Sequence, residues 1–103
     1  MPSTTNPSPN ALAPPTVSNV SVPVAGVSTQ RAGLYVFNPS ATVTLWVSPL
    51  NVPASATGVG SVAIQPQQGI MFGQPGMPPW TNGMNAIASQ AGANVICLLE
   101  FQQ

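Results

Sequence analysis

Apolar and polar positions alternate with a period of two in several short runs of this chain. The clearest case is residues 41–48, where Val43, Leu45 and Val47 fall on one side and Thr42, Thr44 and Trp46 on the other. That alternation is the signature of a strand with one buried face. Arg31 to Phe37 precedes it, and Asn38-Pro39-Ser40 lies between the two runs as a turn signal. The pair reads as a β-hairpin. Ser61 to Gln65 is a third strand, with Val62 and Ile64 on one face, and Ile70 to Phe72 is a short fourth. Met84 to Gln90 reads as a strand or a single helical turn. Val95 to Phe101 is apolar on both faces except at Glu100, the pattern of a strand buried on both sides and placed centrally.

Turn residues separate these runs. Pro49 to Gly60 and Gly73 to Gly83 are long loops, expected to be flexible or shaped by a partner. Pro66-Gln67-Gln68-Gly69 and Ala91-Gly92-Ala93-Asn94 are short turns. No segment sustains a helical period. Short strands separated by Gly/Pro turns predict an all-β fold, a small antiparallel β-sandwich or barrel.

The first 25 residues differ. Pro2, Pro7, Pro9, Pro14, Pro15 and Pro23 punctuate Ser, Thr, Asn, Ala and Val. Proline lacks the N–H and fixes φ, so helix is excluded and an extended Pro/Ser/Thr-rich N-terminal arm is expected over 1–25, with the body over 26–103. Leu12, Val17, Val20, Val22 and Val24 would let such an arm order against a neighbour. Val20, Val22 and Val24 also have the spacing of a short first strand. Deleting residues 2–24 is then expected to leave the body folded.

Charge changes the picture most. Arg31 and Glu100 are the only ionised side chains among 103 residues, so the net charge is zero. Ordinary domains are about one quarter charged. Free monomers use charge to stay apart, so this chain reads as part of an assembly. Its edge strands have no lysine to guard them. A body this small gains little from one core, and the common supports are disulfides, metal or oligomerisation. Arg31 begins the first firm strand and Glu100 nearly ends the last. They meet if those strands are antiparallel neighbours; otherwise both are exposed and unrelated.

Chemistry is sparse. Cys97 is the single cysteine, so no internal disulfide forms, and its apolar surroundings suggest a small buried hydrophobe. With no His and one carboxylate there is no catalytic pair and no cluster of metal ligands. No enzyme activity, metal or cofactor is expected. One arginine makes no basic patch, which argues against nucleic acid. The longest apolar run, Val95 to Leu99, falls far short of the roughly 20 residues that span a membrane. The N-terminus lacks the basic and apolar regions of a signal peptide, so synthesis in a cytoplasm without export is expected. Asn19-Val20-Ser21 matches a glycosylation acceptor by chance. Trp46, Met77 and Trp80 are candidate interface anchors, since aromatic residues dominate hot spots.

The order of features from Arg31 on resembles a known family. It runs Arg31-Ala32-Gly33-Leu34-Tyr35-Val36-Phe37-Asn38-Pro39-Ser40, then Val43-Thr44-Leu45-Trp46-Val47-Ser48-Pro49. Next come Ala63-Ile64-Gln65-Pro66-Gln67-Gln68-Gly69-Ile70, Ala86-Ile87-Ala88-Ser89-Gln90-Ala91-Gly92 and the closing strand Val95 to Phe101. This is similar to small virion proteins of tailed bacteriophages that cement or decorate the outside of the capsid. The resemblance implies a β-sandwich or barrel, commonly a homotrimer, that binds and stabilises the shell of the major capsid protein. It places the chain on the outer capsid surface. Similar folds serve as head fibres, spikes and tail components. In that alternative the loops 49–60 and 73–83, with an exposed Trp80, would bind a host receptor or glycan.

Overall fold

The structure, a computed structural model, describes residues 9–11, 15–73 and 80–102, with side chains from residue 15 on. The described residues form strands and no helix. In chain order these are β1 (Pro9–Ala11), β2 (Thr16–Val17), β3 (Val22–Ala25), β4 (Arg31–Phe37) and β5 (Leu45–Pro49). Then follow β6 (Val62–Ile64), β7 (Gly69–Phe72), β8 (Met84–Ala88), β9 (Asn94–Val95) and β10 (Cys97–Gln102).

One sheet has the order β1-β10-β4-β7 and the other β3-β8-β5-β6, with β2-β9 as a two-stranded ribbon. Every pairing is antiparallel. The sandwich is therefore a folded ribbon: β1, β2 and β3 run against β10, β9 and β8, while β4 and β5 run against β7 and β6. That connectivity is the double-sheet jelly roll, an all-β sandwich as the strand pattern predicts.

The core lies between the sheets. Leu34, Val36, Leu45, Val47, Ile64, Met84, Ala86, Ala88, Ile96 and Leu98 are all buried there. The alternation is kept where it was clearest: Leu45 and Val47 face inward and Trp46 outward. Burying a side chain of this size contributes about 1.5–3 kcal/mol.

Asn38 replaces the expected hairpin. β4 and β5 lie in different sheets, and the chain crosses between them just after Phe37. The buried Asn38 amide donates to the carbonyls of Val43 (2.7 Å) and Ile64 (3.0 Å), and its Oδ1 accepts from Ser40 N. Its backbone exchanges bonds with Gln67 and Gln68. Asn38 thus satisfies all its polar atoms while turning both ribbon strands through one corner. Gln67 sits there at φ 60°, the third residue of a turn closed by Gln68 N on Gln65 O.

Residues 9–25, expected as an arm, supply β1, β2 and β3, and Val17 is fully buried in the core. The prolines do not prevent this. Pro9 and Pro23 stand on β1 and β3, the edge strands of their sheets, where a missing N–H is tolerated. Deleting residues 2–24 would therefore strip edge strands from both sheets. The loop after β5 is not free either. Asn85 Nδ2 donates to the carbonyls of Leu50 and Val52, Ser48 Oγ to Val52 O, and Ala54 N to Ser21 Oγ. These bonds pull the loop back over the outer face of the second sheet. Met84–Ala88 resolves as a strand. The closing run breaks at Ile96 into β9 and β10. β10 is interior to its sheet, but only one of its faces is buried: Leu98 and Glu100 point inward, and Cys97, Leu99 and Phe101 are half-buried on the outer face.

Candidate interaction surface

β4 and β10 are antiparallel neighbours, and their register brings Arg31 and Glu100 to the same end. Arg31 Nε and Nη2 both lie 2.9 Å from Glu100 Oε2. Nη1 donates to Asn82 O (2.9 Å) and Nη2 to Gly26 O (3.1 Å). Glu100 Oε1 accepts from Gln102 Nε2 at 2.6 Å. The guanidinium thus ties β10 to the segments entering β4 and β8. Arg31 is 3% exposed and Glu100 8%. Burying two charges is costly, and the cost is offset only when the remaining donors and acceptors are satisfied. Here they are. Since the chain has no other charged side chain, its surface carries no formal side-chain charge.

The two outer faces differ. The second sheet is overlain by its own loop, which buries the outward Asn85 and leaves Trp46 half-buried. The first sheet has no such cover among the described residues. Cys97, Leu99 and Phe101 from β10 align with Tyr35 and Phe37 from β4 and Met71 from β7. All are half-buried, and no charged group lies among them. Outer faces of antiparallel sheets normally alternate to polar. This outer face departs from that pattern.

The interface candidates scatter. Val17 is interior, and Val22 and Val24 pack against the core. Val20, 63% exposed, stands alone between β2 and β3. Leu12 and Met77 lie outside the described residues. Trp80 is not a free stacking platform; it packs on the core, its ring centroid 5.3 Å from that of Phe72. Gly73, at φ +75°, lets the chain approach closely enough for Trp80 N to donate to Ala32 O. Beside Trp80, between β6 and β7, is an apolar cavity of about 190 Å³ lined by Val47, Val62, Phe72 and Met84. The Trp80 Nε1–H is shielded from solvent and finds no partner among the described residues. Cys97 is half-buried on the outer face rather than in the core. Tyr35, Phe37, Met71, Leu99 and Phe101 are the surface residues that sequence reasoning passed over. Their signal was the two-sided apolarity of the closing strand.

No family model matches the chain. No curated protein matches it either. Among solved structures, the stem and receptor-binding domain of spike protein P1 from bacteriophage PM2 is similar at a TM-score of 0.58 and 10% identity. That likeness covers 87% of this chain and 32% of the other, so the chain spans about a third of its neighbour. A protein from Neisseria meningitidis, NMB1881, aligns over 92% of this chain and 84% of its own at a TM-score of 0.46 and 9% identity. The first likeness concerns the fold.

Two outcomes follow from this geometry. Arg31→Met or Glu100→Leu alone should lower stability by about 3–5 kcal/mol by stranding the other charge, while the double substitution costs less than either single one. Urea midpoints of the four proteins measure this. Trp80→Ala should cost about 2–4 kcal/mol. Trp80→Phe should cost less than about 1.5 kcal/mol, because the indole N–H has no bond to lose.

Proposed function

We propose that this chain is a non-catalytic structural protein of a bacteriophage virion, and more finely a cement or decoration protein that binds the major capsid protein on the outer capsid surface. One observation carries the reading: a jelly roll whose whole side-chain charge is internal presents an uncharged exterior with an open apolar sheet face. Such a surface suits permanent packing among neighbours better than life as a free monomer. The sequence resemblance and the fold shared with part of a phage spike chain support the virion setting. The protein acts by covering and bridging shell subunits as a homo-oligomer, a trimer by the resemblance. Its contacts are apolar packing and hydrogen bonds. The reading assigns no catalytic group, metal, cofactor, nucleic acid or membrane to it.

A second reading is favoured by the PM2 neighbour, a stem and receptor-binding domain. In it the chain is a spike or head-fibre module that recognises a host receptor or glycan. Immunogold electron microscopy of intact particles, with an antibody against this chain, separates the two. Label spread over the heads is the expected result. Label confined to projecting spikes or tails selects the second reading, and particles without label contradict both.

A further inference from the structure

The outer face of the β1-β10-β4-β7 sheet carries half-buried apolar side chains on three adjacent strands. The chain covers the corresponding face of its other sheet with its own loop, held by Asn85 and Ser48. Among the described residues no loop lies over this one, where Tyr35, Phe37, Met71, Cys97, Leu99 and Phe101 stand side by side, each half-buried. The row Leu99-Tyr35-Met71 crosses three strands without a polar break other than the tyrosine hydroxyl. Beside it, Tyr35 lies over the bare backbone of Gly69, so the face is flattened where a side chain would otherwise stand up.

We infer that this face packs against the same face of a second copy of the chain. Charge argues for that occupant. A charged partner would have to desolvate its own ions against an apolar sheet that offers them no counter-charge. A second copy has no ion to desolvate, and like copies meet no repulsion. The face is also self-complementary in kind: aromatic rings, a methionine and a leucine meet the same set across a twofold axis. Isologous packing of one patch on itself is the commonest symmetric contact. The inference deepens the virion reading by naming a twofold contact between copies, separate from the threefold contact a trimer needs; it stands on the sheet face and fails or holds independently of where the particle carries the protein.

Cys97 sits on this face and is the only thiol, so the wild-type chain reports on its own contact. Native mass and the rate of Cys97 labelling by a maleimide are measured together while protein concentration is raised from about 1 μM to about 1 mM, a span that brackets ordinary weak to moderate affinities. The expected result is assembly in the wild type, with labelling slowed about tenfold or more as it forms. Leu99→Lys should remove both effects and leave a folded monomer whose Cys97 labels quickly at every concentration. Met71→Lys, on the edge strand β7, repeats the test should Leu99→Lys fail to fold. A wild type that stays monomeric throughout overturns the inference. So does Cys97 protection that is already complete in the monomer, which would mean the chain covers the face itself. Lysine variants that assemble as well as wild type overturn it too.

Discussion

The Arg31–Glu100 pair is the constraint on which the rest of the molecule turns. It uses the chain's entire ionised inventory at one buried point, where β4 and β10 meet the segments that lead into β4 and β8. Removing either partner leaves a charge in the interior with nothing to balance it. Keeping both leaves the exterior with none. Stability and surface character are therefore set by the same two residues. A protein that hides its charge in this way gives up the long-range repulsion that keeps ordinary domains apart.

Neutral amides take over the work that ion pairs do elsewhere. Asn38 turns the ribbon from one sheet to the other. Asn85 pins the loop that follows β5. Asn94 Nδ2 joins β2 to the turn before β9 through the carbonyls of Val17 and Gln90, at 2.9 Å each. Each reaches backbone carbonyls distant in sequence. Each also sits where a strand ends or a loop folds back. The jelly roll is thus closed by neutral side chains whose hydrogen bonds tie segments far apart in sequence and are insensitive to salt. Among the described residues, none of these devices lies over the apolar outer face of the first sheet.

Much of this fold was legible in the order of residues. Alternation located β5 and β6, and two-sided apolarity located β10 and placed it inside a sheet. The error about its second face was informative: the pattern signalled burial on both sides, and the described residues of the chain cover only one. The jelly-roll crossing at Asn38 was hidden because an Asn-Pro-Ser turn has the same local chemistry in a hairpin and in a corner between sheets. The spacing of Val20, Val22 and Val24 signalled β3, while β1 and β2 were hidden by nearby prolines, which forbid helix and central strands but not edges. Trp80 illustrates another limit. A tryptophan in a Pro/Gly-rich loop looks exposed until the partners that bury it, Phe72 and the Ala32 carbonyl, are brought close by the fold.

The most direct test of the account is hydrogen exchange at the Arg31 Nε–H, followed by NMR in the intact protein. With one arginine in the chain the signal needs no sorting from others. This proton is expected to be protected, exchanging only when the sandwich opens, and to show contacts to the Glu100 side chain. A proton exchanging as freely as in a solvated arginine would place the charge on the surface. It would remove the basis for an uncharged, partner-seeking exterior.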